Sequence, residues 1–192
     1  MAFSPSSFLY HAPMQRVPLA EFEPALNKKL EQWWGKPPNL YRALGNQPKL
    51  VAAWAEFSRV LRYDARTPRA LRELVILRGA QRMRSQYEWA QHLPMAREAG
   101  VRKAQIAALA RWRSSKEFDP RERAALALAE AVTAGRVSDR VYAEASRHFD
   151  PADYVELCLV AAFYAAVGRM IDALGVQLEP ETRNHAPRLR AK

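Results

Sequence analysis

Glu73, Glu88 and His92 are the residues whose types and spacing could do chemistry. Wound at 100° per residue, the stretch 85–100 places Glu88 and His92 inside one arc of about 160°, together with Ser85, Trp89, Leu93, Met95 and Ala96. Gln86, Tyr87, Gln91, Arg97 and Glu98 take the other side. On the preceding helical pattern Glu73 falls between Leu77 and Ala80, again against an apolar grain. A charged group seldom faces a core unpaired, because desolvation costs several kcal/mol. Two helices packed antiparallel would bring the three side chains together. Burial would raise the carboxylate pKa values and a carboxylate neighbour would raise that of His. Such groups transfer protons to and from carbon or oxygen. Two other readings stand beside this one. The Glu–His pair could simply pin two helices. Alternatively, Glu-x-x-x-His with Glu73 as a third ligand could hold a metal, although the chain lacks the first His of a zinc protease's His-Glu-x-x-His.

These side chains need helices to hold them. Ala, Leu, Arg and Glu dominate the 192 residues, only 7 are Gly, and strand signals are poor, so the chain reads as all-α. Residues 1–18 read as an extended arm, 19–175 as a single domain and 176–192 as a loose basic tail. Within the domain, Leu19 to Trp34 is expected to be helical, with Pro24 weakening its first turn, and Gly35-Lys36-Pro37-Pro38 stops it. Asn39 is expected to cap a short helix ending at Gly45, and Asn46 the next, whose stripe is Leu50, Val51, Trp54, Phe57 and Leu61. Thr67-Pro68, Asp119-Pro120 and Asp150-Pro151 each set a capping oxygen before a Pro at the first helical position. Asp119 with Glu122 also fits a capping box. Further helices are expected near 85–99, with Pro94 as a kink point, near 102–112, near 138–147 with Ser138 as cap, and from Pro151 to Leu174. Arg72 to Leu77 echoes Val155 to Val160, as a diverged helical duplication would.

Composition narrows the function classes. With 49% apolar residues the chain can bury a sizeable core. A single Cys158 excludes disulfide frameworks, Cys-rich zinc sites and two-cysteine redox centres within one chain. Every long apolar run carries a charge, and the start lacks the features of a signal peptide, so a reducing cytoplasm is expected and a membrane span is not. The net charge is +10, and eight arginines lie between Arg59 and Arg84. They read as a solvated face or as an anion-attracting rim. No motif points to nucleic acid. Trp33 and Trp34 are adjacent, so one of them is expected to line a pocket or meet a partner.

The segments Leu71 to Arg78, Tyr87 to His92 and Ala96 to Val101 together resemble the carboxymuconolactone decarboxylase family, which includes the AhpD-like alkylhydroperoxidases. The likeness covers about 45–135, and Ser138 to Leu174 looks like the remainder of larger members. It implies a multihelical AhpD-like fold and a trimer or hexamer with its site near a subunit interface. The hydroperoxidase branch carries Cys-x-x-Cys before the His. Here those places fall on Ser85 and Glu88, which excludes peroxide reduction by that thiol pair. The decarboxylase branch carries Glu-x-x-x-His, as Glu88 and His92 do. The resemblance therefore implies a cofactor-free, metal-free lyase acting on a small acidic lactone or aromatic ring-cleavage product. His92 would be the general acid/base, Glu88 its partner or second proton carrier, and Glu73 the group that orients His92. Tyr87, Ser85 and Arg72 complete the candidate substrate-binding set.

Overall fold

The computed structural model describes residues 14–185. Nine α-helices run through them: α1 (Pro24–Trp34), α2 (Asn39–Leu44), α3 (Pro48–Arg59), α4 (Arg69–Met83), α5 (Gln86–Glu98), α6 (Lys103–Ala108), α7 (Pro120–Thr133), α8 (Asp139–Ala145) and α9 (Pro151–Leu174). A π-helical turn, Val60–Asp64, extends α3. A 3-10 turn, Leu109–Arg111, follows α6, and a 3-10 helix, Pro180–His185, follows α9. No strand occurs among the described residues.

α4 is the axis of the fold. Every residue from Leu71 to Ala80 is buried, because α5, α7 and α9 cover it on all sides. A helix enclosed in this way has no solvent face for charge. The three ionisable residues of that buried stretch must find partners inside, and each does. Arg72 donates to the carbonyls of Arg62, Ala65 and Thr67. Arg78 pairs with Glu130, and Glu73 turns toward α5. The large core joins α4, α7 and α9 through Leu71, Val75, Leu128, Leu157, Val160 and Phe163. A second cluster, with Leu74, Leu77, Trp89 and Trp112, joins α4 to α5 and α6. A third packs α1, α2 and α3 through Leu30, Tyr41, Val51 and Ala55.

Several boundaries differ from the sequence reading, each for a local reason. α1 begins at Pro24, not Leu19, because proline has no N–H to lose at the first helical position. Asn39 lies inside α2 and gives its amide to the Gln177 carbonyl. Gly45 ends α2 in right-handed geometry. Asn46 caps nothing and holds the Pro18 and Ala43 carbonyls. Thr67 is also no cap. Pro68 takes that place, while the Thr67 hydroxyl donates to Glu156 of α9. Leu50 and Phe57 are exposed rather than core. The caps at Asp119, Ser138 and Asp150 stand where expected, Asp119 with its reciprocal Glu122 bond. α9 is long and apolar enough to span a membrane, although its charges argued otherwise; half of its most apolar window is buried within the fold.

The largest departure is the stretch after α9. Residues 176–185 do not hang loose: Val176 and Glu179 are buried. Gly175, at φ +65, reverses the chain there, and the Met14 carbonyl lies where a Cβ would sit. The described part of the arm docks beside it, with Arg16 donating to the carbonyls of Asp172, Ala173 and Leu174. Residues 1–13 and 186–192 lie outside the described residues.

Candidate active site

α4 and α5 are joined by a reversal at Arg84, whose φ of 58 is the left-handed turn that ends α4. Ser85 then caps α5, its hydroxyl accepting from the Glu88 N–H at 3.4 Å. The hairpin sets Glu73 beside His92, with 2.9 Å between Oε2 and Nδ1. Both are buried. Arg69, one turn before Glu73 on α4, pairs with the other carboxylate oxygen. Burial alone would raise the Glu73 carboxyl. The charge and hydrogen bond of His92, with the charges of Arg69 and Arg62, outweigh burial and hold it below the ordinary range. A carboxylate can only accept, so His92 Nδ1 carries the hydrogen of this bond. Nε2 takes no partner among the described residues. The ring stands edge-on to Tyr164, with centroids 4.7 Å apart.

Glu88 differs in kind. It is 2% exposed, and neither carboxyl oxygen has a hydrogen-bond partner. Gly168 of α9 makes room for it: a Cβ there would lie 2.9 Å from Oε2 and 2.9 Å from Met83 Cε. Burial lifts the Glu88 carboxyl well above its ordinary value, with only Ser85 opposing. One helix thus carries a carboxyl group that burial pushes toward its protonated form, while its neighbour carries one held toward its charged form. The expectation that burial would raise both carboxylates fails for Glu73 because two cations face it.

His92 and Glu88 both contribute to the lining of a cavity of about 330 Å³, although the Glu88 carboxyl oxygens are themselves buried. Its walls are largely aromatic: Trp33, Trp34, Tyr41, Phe163 and Tyr164, with Trp34 stacked on Tyr41 at 4.7 Å. Both adjacent tryptophans contribute. Burial pushes the Tyr41 phenol up to about 12, although Ser58 accepts its proton at 3.0 Å.

Tyr87 and Gln91 also line the cavity, although the helical wheel turns them away from the core. The segment after α9 covers that face and buries them. Glu179 is the hub of the contact. Its carboxylate accepts from the Asn39 N–H at 2.7 Å, Tyr87 Oη at 2.6 Å, Gln91 Nε2 at 2.5 Å and Thr182 Oγ1 at 3.2 Å. Tyr87 Oη in turn accepts from the Leu40 N–H at 3.2 Å. Burial, then the charge and bond of Glu179, push the Tyr87 phenol well up, so it holds structure and gives its proton poorly. Sequence reasoning missed Glu179; the signal was Val176 and Leu178, apolar residues a loose tail does not need.

Three sequence candidates lie outside the cavity lining, the first being Glu73, which is fully buried and touches it only through His92. Ser85 is spent on its cap. Arg72 is spent on backbone carbonyls, and Arg62 enters the lining instead. Among the described residues no group of three His, Cys, Asp or Glu side chains has a metal-holding arrangement, so Glu73, Glu88 and His92 do not form the ligand set considered above. Cys158 lies half-buried on α9, off the cavity, its thiol raised by burial.

Residues 48–131 match the carboxymuconolactone decarboxylase family. A protein of Bacillus subtilis (strain 168), the uncharacterized protein YdfG, is 31% identical over 110 residues, which is 56% of this chain and 75% of YdfG. Among solved structures, the debrominase Bmp8, bound to 2,3,4-tribromopyrrole as a Cys-to-Ala variant, superposes with a TM-score of 0.78 at 19% identity, over 93% of this chain and all of Bmp8. A peroxidase-related protein of Ralstonia eutropha JMP134 with an alkylhydroperoxidase AhpD core gives 0.75 at 19% identity, over 88% of this chain and 95% of its own. At such identities these two likenesses speak for the fold.

Proposed function

This chain belongs to the carboxymuconolactone decarboxylase family, and on that footing we propose that it is a cofactor-free acid–base enzyme, a lyase for a small acidic lactone or aromatic ring-cleavage product. One observation carries the reading. A histidine oriented by a charged carboxylate and a residue whose carboxyl group is buried and unpartnered both contribute to the lining of one aromatic-rich cavity. Groups with separated proton affinities divide acid and base roles between them.

The steps follow from the side chains. The aromatic walls desolvate the substrate carboxylate, which weakens its hold on charge. The carbon–carboxylate bond breaks, CO2 leaves, and the electron pair passes into the conjugated lactone carbonyl. Glu88 delivers its proton to the carbon left behind. His92, its Nδ1–H fixed by Glu73, returns a proton from water to Glu88 through Nε2. Thiol chemistry is the weaker alternative, since no cysteine lines the cavity.

The test is CO2 release from a panel of unsaturated lactone carboxylates. His92→Ala is expected to lose at least about 100-fold in rate, the usual weight of general acid–base catalysis, with its melting midpoint unchanged. Equal turnover by wild type and His92→Ala sinks the proposal, and so does wild type turning over none of the panel.

A further inference from the structure

We propose that Arg62 is the anion anchor of this cavity and that it selects a planar ring compound bearing a single carboxylate. The proposal deepens the acid–base reading above, which supplies the reacting end at His92, but its test does not depend on turnover.

The arginine-rich stretch explains the choice. Arg59 is paired with Glu56 and Asp64, Arg66 with Asp150 and Asp153, Arg69 with Glu73, and Arg78 with Glu130. Arg72 is consumed by backbone carbonyls. Arg62 alone of these six lines the cavity, and its guanidinium has no hydrogen bond or ion pair among the described residues. Its guanidinium lies 5.4 Å from the Tyr63 ring, and its charge also reaches Glu73 and Tyr41. A half-buried guanidinium without a carboxylate has five donors to offer in a planar fork.

Its position is built. Arg62 sits at the centre of the π-helical turn Val60–Asp64, a wider coil than the α3 helix it continues. Two other arginines pin that turn through the Arg62 carbonyl, Arg69 Nη1 at 2.8 Å and Arg72 Nη2 at 3.2 Å. Arg69 also holds Glu73, and Glu73 holds His92. The anchor and the base are therefore tied to one side chain, and the span between them is set.

The remaining charges argue for a monoanion. Lys36, also on the lining, faces Glu181 at 3.9 Å. Glu179 already has four donors and would repel a second carboxylate. Stacked aromatic walls favour a flat ring.

Trp33 and Trp34 report occupancy by fluorescence, backed by calorimetry on the full chain. The probes are benzoate, its neutral isostere benzamide, and the dianion isophthalate. Benzoate is expected to bind at least about tenfold tighter than benzamide, about 1.4 kcal/mol, and no weaker than isophthalate. Arg62→Gln should lose at least that tenfold for benzoate while leaving benzamide within about twofold; Arg62→Lys should fall between and serves as the folded comparison if the Gln variant melts early. Benzoate binding is read without turnover, so a failed lyase reading leaves the anchor standing. Equal binding of benzoate and benzamide, tightest binding of isophthalate, an unaffected Arg62→Gln, or no benzoate binding overturns the proposal.

Discussion

Replacing Glu88 by Gln puts the neutral-acid argument under direct test. The unfolded chain ionises this carboxyl near 4.5. The folded protein holds it well above that value because burial leaves the oxygens with neither water nor a hydrogen-bond donor. Between the two values the native state keeps a proton that the unfolded state releases, so wild-type stability falls as pH rises. The slope is about 1.4 kcal/mol per pH unit. Glutamine cannot titrate and lacks the slope; its buried amide shifts the curve by a constant. The stability of Glu88→Gln relative to wild type should thus improve steadily as pH rises from about 5 toward the raised folded-state value. Glu73 adds no slope there. Its lowered carboxyl contributes stability that is complete above 4.5 and is lost only as pH falls through its folded value. Urea melts followed by tryptophan fluorescence at pH 5, 6 and 7 measure the difference. A difference that stays flat with pH would show Glu88 ionised in the native state and remove the acid from the mechanism.

Gly168→Ala should destabilise by about 1–2 kcal/mol despite alanine's better helix propensity, because its Cβ meets Glu88 and Met83. In a Glu88→Ala background the same change should become stabilising, which a double-mutant cycle in thermal melts reads. Tyr87→Phe strips one donor from Glu179 and leaves the Leu40 N–H without its acceptor. We expect a loss of about 1–2 kcal/mol and faster hydrogen exchange at residues 176–179. Burial would raise Glu130, but bonds from Arg113, Trp112 and Arg78 outweigh it and hold the group down to about 2. Its contribution is therefore present above 4.5 and disappears as pH falls toward 2. Glu130→Gln should cost up to about 3 kcal/mol at neutral pH and flatten the acid limb of the stability curve.

The helical period made Glu73, Glu88 and His92 legible, since i to i+4 spacing on an otherwise apolar arc needs no tertiary knowledge. The caps at Asp119, Ser138 and Asp150 were legible for the same reason: each is a contact within four residues. What escaped was long-range. A wheel assigns Tyr87 and Gln91 to the outside, yet Glu179, about ninety residues later, covers them. Thr67 reads as a cap until Glu156 of α9 captures its hydroxyl. The choice of Arg62 over Arg72 depends on a π-helical turn, whose extra residue leaves no mark in hydrophobic patterning.

The wall that Glu179 supplies has a consequence for truncation. A chain ending at α9 would keep the nine helices with Glu73, Glu88 and His92, but its cavity would lack the side formed by Glu179, Glu181 and Thr182. Glu179 closes that side through its bonds to Asn39, Tyr87 and Gln91. The wall of the cavity therefore depends on ten residues that follow the last long helix.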